Sequence, residues 1–206
     1  MDVLAKIMND AVKLIGKQKR LPEPAYRFLR RYDSMLCVDS VLIPEGKTPA
    51  VLLLKRTDES VAPGLYYTIG GRVGKERNLP KALERKIKSE TGLSLKVSWN
   101  NVVGIGLPYY KPNKKEKEKR NYDVFTPAII FAVKIPKNSK VKPADGNCGW
   151  KIYTELKAGW DDYVLNAVAR AWDQFFGKKW RQNLTPEIRK KLKRSRDFIP
   201  LKFEKK

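Results

Sequence analysis

Glycines, arginines and a glutamate recur at fixed distances in the middle of this chain. Gly70-Gly71-Arg72 precedes a stretch of helical periodicity that carries Arg85 and Glu90. Glycines let a backbone approach an anion closely, arginines neutralise phosphate oxygens, and a carboxylate on a helix face binds a divalent cation. This combination predicts chemistry on a phosphorylated substrate.

An ordinary surface helix explains part of the same pattern. Leu79, Leu83 and Ile87 repeat at the spacing of a buried helical stripe, which predicts a helix over 79–91. Lys86 and Glu90 are four residues apart, so an ion pair on the solvent face would account for both. Taken singly, each charged residue is explained without any ligand.

The spacing as a whole resembles the signature of the Nudix hydrolases. That signature runs Gly, five residues, an acid, seven residues, then Arg-Glu-apolar-any-Glu-Glu-any-Gly. The residues that fall on it are Gly71, Arg85, Ile87, Glu90, Gly92 and Leu93. At three positions where the signature has carboxylates, this chain has Arg77, Lys86 and Ser89. Glu76, adjacent to Arg77, could serve after a shift of one residue. The resemblance implies a phosphate-binding ancestry and leaves the survival of catalysis open.

One branch, the GDP-mannose mannosyl hydrolases, is similar in showing Gly-Gly-Arg before the helix and keeping only the last glutamate. The similarity covers roughly residues 36 to 176. Further matching positions are Asp39, Lys55-Arg56, Ala62-Pro63-Gly64, Gly104 to Tyr110 and Trp150. It implies a Mg²⁺-dependent hydrolase of a nucleoside diphosphate sugar or related nucleotide, in which water attacks the sugar carbon and the nucleoside diphosphate leaves.

The resemblance also implies roles for the charged residues. Glu90 and the carbonyl of Gly70 would bind Mg²⁺. Arg56 and Arg72 would bind the phosphates and neutralise the leaving group. Arg85 is predicted to bind substrate or, alternatively, to organise the helix.

Three other site residues follow from the same branch. Asp39 would position the substrate, and Tyr110 matches a tyrosine near the departing phosphate. The branch uses a histidine as general base, but this chain contains no histidine. Counting back from Trp150 places Asp145 there, and a carboxylate accepts a proton from water effectively only when its pKa is raised.

The order of elements predicts an α/β protein, specifically a Nudix-type α/β/α sandwich with a mixed β-sheet. The expected strands are 35–44, 50–55, 65–69, 102–106, 125–135 and 150–153, and the closing helix is 161–176. An N-terminal helix is expected at 2–17. The predicted organisation is an N-terminal helical extension at 1–34, a Nudix domain at 35–176 and a basic C-terminal extension at 177–206.

A formal charge of +22 over 206 residues is the second strong signal. Such a charge attracts polyanions, so nucleic acid is a candidate partner beside a nucleotide. Residues 177–206 alone have 12 Lys and Arg against 3 Asp and Glu, or 12 − 3 = +9. The aromatic residues of this tail, Trp180, Phe198 and Phe203, either stack on bases or pack on the domain. The alternative function is therefore a degenerate Nudix domain that binds RNA or a ribonucleoprotein.

The remaining sequence features concern the compartment. Cys37 and Cys148 form no spaced metal motif, which indicates reduced thiols. The sequence shows no apolar run of membrane-spanning length and no signal peptide pattern, so we expect a cytoplasmic protein without a membrane partner. A homodimer remains open.

Overall fold

The computed structural model describes residues 36–57, 64–73, 78–110, 124–142, 147–194 and 198–200. At 109–110, 124–125, 147–148, 194 and 200 the description covers the backbone alone. The chain divides into two compact units, Met1–Ser34 and Met35–Lys206, and all described residues belong to the second. The helix predicted at 2–17 lies outside them.

The described residues form strands, α-helices and two 3-10 turns. The strands are β1 Cys37–Pro44, β2 Val51–Arg56, β3 Tyr66–Tyr67, β4 Ile69–Arg72, β5 Val102–Gly106, β6 Tyr109–Tyr110, β7 Val124–Phe125, β8 Ala128–Ile135, β9 Asn147–Tyr153 and β10 Phe198–Pro200. The helices are α1 Leu79–Thr91, α2 Asp162–Phe176 and α3 Pro186–Arg194, and the 3-10 turns are Trp99–Asn101 and Lys179–Asn183. None of the described helices is long and apolar enough to cross a membrane.

Eight strands make one mixed sheet in the order β10-β5-β8-β1-β2-β3, with β4 paired to β1 and β9 paired to β2. β1 and β8 run parallel along their whole length, from Cys37 opposite Ala128 to Pro44 opposite Ile135. The other pairings of this sheet are antiparallel. β6 and β7 form a separate two-stranded pair.

Alternating side chains of the central strands divide the core into two layers. On β1, Val41 and Ile43 belong to the apolar cluster of α2, whereas Val38 and Leu42 belong to the cluster of α1. Successive side chains of a strand point to opposite faces, so α1 and α2 cover opposite faces of the sheet. The predicted mixed sheet between helices is confirmed.

Helix α1 has the bounds that the sequence predicts, because each end carries its own signal. Asn78 caps the first turn by accepting a hydrogen bond from the Lys81 backbone N–H at 3.1 Å. Gly92 ends the helix in the left-handed conformation, with φ of 74°, and its N–H donates to the Lys88 carbonyl. The apolar stripe of this helix is buried.

The C-terminal segment adds a strand to the same sheet. β10 pairs antiparallel with β5, and Phe198 is buried in the core. The indole of Trp180 packs edge-on against Trp172 with ring centroids 5.2 Å apart. Of the two interpretations of these aromatic residues, packing on the domain therefore holds for Trp180 and Phe198, while Phe203 lies outside the described residues.

Candidate phosphate-binding site

The site begins where β4 lies against β1. Asp39 is opposite Gly70, and Val38 is opposite Gly71. A Cβ on Gly70 would lie 2.1 Å from the Val38 carbonyl oxygen and 2.3 Å from Asp39 Oδ1, so no larger residue fits. Gly71 has a φ of 142°, which also favours glycine. These two glycines bring the β4 backbone directly against a carboxylate.

Asp39 is a buried carboxylate with several hydrogen-bond donors. The Tyr163 hydroxyl donates to Oδ2 at 2.5 Å, and the Thr68 hydroxyl donates to the same oxygen at 3.2 Å. Burial raises the pKa of Asp39. The rise is opposed by the hydrogen bond from Tyr163, by the charge of Arg56, and by hydrogen bonds from Thr68 and the Gly71 N–H. The predicted positioning residue is thus held in place beneath the surface.

Glu90 approaches the same point from α1. Burial raises its pKa to about 7, Lys86 opposes the rise most strongly, and the Asp39 carboxylate adds to it. The Gly70 backbone N–H donates a hydrogen bond to Glu90 and lowers its pKa. The two residues predicted as metal ligands, Gly70 and Glu90, are therefore neighbours, with Lys86 beside them.

A small pocket of about 190 Å³ opens between β4 and α1. Its lining residues are Arg72, Val73, Ala82, Arg85, Lys86 and Ser89. Three of the six are cations, and this lining, within the described part of the chain, contains no carboxylate. The pocket can neutralise an anion of the size of a phosphate group, and Arg72 and Arg85 supply planar forks of donors for its oxygens.

An aromatic stack holds a fourth cation near this cluster. The guanidinium of Arg56 lies 4.3 Å from the centroid of the Tyr67 ring. Tyr67 in turn stacks on Tyr163, with centroids 5.9 Å apart and an interplanar angle of 19°. The charge of Arg56 lowers the pKa of both Asp39 and Glu90. The stack thus connects Arg56 to the tyrosine that hydrogen-bonds Asp39.

Neither Tyr163 nor Gly106, against which its ring packs, was identified from the sequence as a site residue. Tyr163 lies in the first turn of α2, where its N–H donates to the capping Asp161 carboxylate at 2.8 Å. A Cβ on Gly106 would lie 2.1 Å from the Tyr163 ring. Glycine at alternate positions of an apolar strand, here Gly104 and Gly106, signals such a close approach. The tyrosine itself stands among apolar residues without a comparable signal.

Two predicted site residues are not placed. Asp145 lies outside the described residues. The backbone of Tyr110 pairs with Val124 in the β6-β7 pair, and its side chain is outside the description. The structure brings together the other predicted residues, and their roles in binding or catalysis stay predictions.

The described residues do not fit the Mg²⁺ site that the resemblance implies. Among them, no three His, Cys, Asp or Glu side chains gather to hold a metal ion. Asp39 accepts hydrogen bonds from Tyr163, Thr68 and Gly71. Glu90 faces the positive charge of Lys86. Because Mg²⁺ requires nearly ideal octahedral oxygen coordination, a site with such engaged carboxylates and adjacent cations suits it poorly.

No family model matches this chain. Among solved structures, it is similar to the MutT protein of Methanosarcina mazei Go1, with 20% identity, coverage of 73% of this chain and 96% of that chain, and a TM-score of 0.49. A MutT Nudix hydrolase of Burkholderia pseudomallei gives 13% identity, coverage of 66% and 97%, and a TM-score of 0.47.

A third similar structure is a bifunctional NMN adenylyltransferase/ADP ribose pyrophosphatase of Francisella tularensis, complexed with AMP and a Mn ion. It has 13% identity, coverage of 81% of this chain and 42% of that chain, and a TM-score of 0.40. Identities of this size are too low to transfer an activity, a substrate or a metal to this chain.

Proposed function

We propose that this protein is a Nudix-type hydrolase that binds the diphosphate of a nucleotide derivative in the pocket between β4 and α1. The observation that carries the proposal is the lining of that pocket, in which Arg72, Arg85 and Lys86 surround about 190 Å³ beside two glycines. A diphosphate carries several negative charges in a small volume. Cations gathered around a small volume bind such a group through charge-assisted hydrogen bonds.

The substrate class that we propose is a nucleoside diphosphate sugar, with GDP-mannose as the first member to test. Attack of water on the sugar carbon expels the nucleoside diphosphate, and negative charge develops on the leaving phosphate oxygens. We assign to Arg72 and Arg85, which line the pocket, the neutralisation of this charge in the transition state. The stacked Arg56 adds positive potential from the side of Asp39.

The proton acceptor for the attacking water is assigned by proposal to Asp145, and the contact with the leaving group is assigned to Tyr110. Both assignments come from the resemblance. The buried carboxylate of Asp39 is better suited to positioning than to proton transfer, because Tyr163 and Thr68 already donate to its Oδ2. Asp145→Asn should slow hydrolysis by about a hundredfold while binding persists.

A panel of nucleoside diphosphate sugars tests the activity. Release of free sugar and release of phosphate are measured separately, with and without Mg²⁺. Sugar release at a rate that falls at least about tenfold in Arg72→Gln supports the proposal. Lys88→Gln is the matched control, since Lys88 lies on α1, next to the pocket, but does not line it. Binding of nucleoside diphosphates without turnover of any sugar would leave a binding protein and exclude the hydrolase.

A second candidate function, binding of RNA, is favoured by a groove at the C-terminal helix. Arg189, Lys190 and Lys193 line this groove of about 380 Å³ with Pro186. Cations on an exposed helix bind polyanions mainly by releasing counterions. Gel shifts with RNA at increasing salt should then show a steep loss of affinity, and absence of any shift at low salt would exclude this function.

A further inference from the structure

We infer that the ammonium group of Lys86 takes the place of a divalent cation in this pocket, so that the protein binds a diphosphate without metal. The inference rests on the proposed function, because it concerns the same pocket and the same class of ligand. It begins from two residue types: Lys86 and Ser89 stand at positions where the Nudix signature has carboxylates, and both line the pocket.

The position of Lys86 is the first argument. Its side chain is half-buried, and its Nζ lies 3.7 Å from the point where a Cβ on Gly71 would be. The ammonium group therefore lies within van der Waals distance of position 71 on β4, and Lys86 lines the pocket.

The charges around Lys86 are the second argument. Lys86 is the strongest of the influences that oppose the raised pKa of Glu90. It also acts on the thiol of Cys37 at the start of β1, together with Arg56 and Arg72. Glu90 therefore already has a positive neighbour. A divalent cation placed between Glu90 and the pocket would add two charges to a region that holds several cations, and like charges repel at this range.

The state of the carboxylates is the third argument. Asp39 is committed to Tyr163 and Thr68 inside the core. Ser89 contributes a hydroxyl whose proton is donated to the Lys86 carbonyl at 3.0 Å. A lysine near a carboxylate supplies a compact positive charge with three donors, which is the chemistry by which lysine binds phosphate. Lys86 thus supplies a compact positive charge, while Arg72 and Arg85 supply planar, directional hydrogen-bond donors for the phosphate oxygens.

Calorimetry with inorganic pyrophosphate tests this inference. The full-length protein is titrated once in EDTA and once in excess MgCl₂. Metal-free binding predicts affinity in EDTA that is equal to, or higher than, the affinity in Mg²⁺, because Mg²⁺ complexes part of the free pyrophosphate. Lys86→Gln should lose about tenfold to a hundredfold in affinity in EDTA, since a charged donor to the ligand is removed.

Two further variants separate the role of Lys86 from a loss of structure. Lys88→Gln removes the same charge from the same helix and should bind pyrophosphate like the wild type. Lys86→Arg keeps the charge and should retain most of the affinity. Far-ultraviolet circular dichroism confirms that each variant is folded, since Lys86 is not part of the apolar core.

The outcomes distinguish the inference from the function on which it rests. Pyrophosphate binding that requires Mg²⁺, or equal affinities of Lys86→Gln and Lys88→Gln, overturns the metal-free site and leaves the proposed function standing. Failure of pyrophosphate to bind under either condition overturns the proposed function, and the inference with it.

Discussion

Two cationic regions of this protein differ in what lies behind their charges. The pocket between β4 and α1 has Arg72, Arg85 and Lys86 in its lining, and the groove at α3 has Arg189, Lys190 and Lys193. Behind the pocket lie the buried Asp39, the half-buried Glu90 and two glycines. At the groove, Arg189 donates to the carbonyls of Gln182 and Leu184 at 2.8 and 3.1 Å.

The number of cations therefore does not by itself decide which anion a surface prefers. In the pocket, the half-buried Lys86 and the exposed Arg72 and Arg85 surround a small volume, so a compact anion can contact all three cations at once. At α3 the charges lie on an exposed helix, where salt screens them and a long polyanion gains by contacting several at once. The predictions below test this contrast.

The largest effect is expected when the arginines of the pocket are replaced. Arg72→Gln combined with Arg85→Gln should lower pyrophosphate affinity by about a hundredfold, because two charged donors are lost. Lys190→Gln combined with Lys193→Gln is the matched control and should leave that affinity within about twofold. Isothermal calorimetry at constant ionic strength measures both. Similar losses in the two double variants would show that the pocket attracts pyrophosphate only through overall charge.

A smaller effect is expected from the tyrosine that supports the pocket from the core. Tyr163→Phe removes a donor at 2.5 Å from the buried Asp39 and should lower the free energy of unfolding by about 2 kcal/mol. Tyr153→Phe is the control. Tyr153 is partly buried, and the variant keeps its ring contact with Trp160, so the free energy of unfolding should fall by less than about 0.5 kcal/mol. Urea denaturation at pH 7 measures the two values. If they are equal, the Asp39 hydrogen bond contributes no more than an exposed one.

The pH dependence of stability should report Glu90. The unfolded chain titrates near the ordinary value of 4.5, whereas burial raises the pKa of the native glutamate to about 7. Between these values the unfolded state binds fewer protons, so stability decreases as the pH rises from about 4.5 to about 7 and changes little above. For this half-buried group the decrease should be about 1–2 kcal/mol.

Glu90→Gln should remove this part of the decrease, because glutamine cannot ionise. The measurement is urea denaturation at several pH values between 4.5 and 8. Glu187→Gln on the exposed face of α3 serves as the control and should keep the wild-type slope. If the free energy of unfolding of Glu90→Gln depends on pH as in the wild type, another group causes the decrease. Asp39 is the next candidate, since burial also raises its pKa.

The smallest effect is expected at the groove of α3. Lys190→Gln combined with Lys193→Gln should lower the affinity for RNA by about threefold at low salt, and should reduce the slope of log affinity against log salt by about 1.4. Truncation of residues 177–206 is a poorer test, because it also removes the strand that pairs with β5. A salt slope identical to that of the wild type would exclude contacts between this groove and phosphates.

Local signals explain which parts of the fold the sequence predicts well. Helix α1 and strand β5 have the predicted bounds, and α2 begins one residue later than predicted. Each of these elements carries its own apolar period and its own end signals, such as Asn78 and Gly92. β10 was not predicted, because three residues gain strand structure only by pairing with a distant strand, and that pairing has no local signature.

The types and the order of the groups in the candidate site follow from the amino-acid sequence alone. The segment from Gly70 to Glu90 begins with two adjacent glycines and contains a stretch of helical period and cations in place of carboxylates. Helical and strand periods of 3.6 and 2 residues are enough to place such groups on one face of an element, so these features needed no tertiary information.

Which of these groups share an environment depends on the packing of distant elements. The antiparallel register of β1 and β4 places Gly70 opposite Asp39, and packing of α2 brings the hydroxyl of Tyr163 to the same carboxylate across 124 residues of sequence. Burial and neighbouring charge then set how readily Asp39 and Glu90 ionise. These quantities depend on distances between elements, and residue spacing along one element does not contain them.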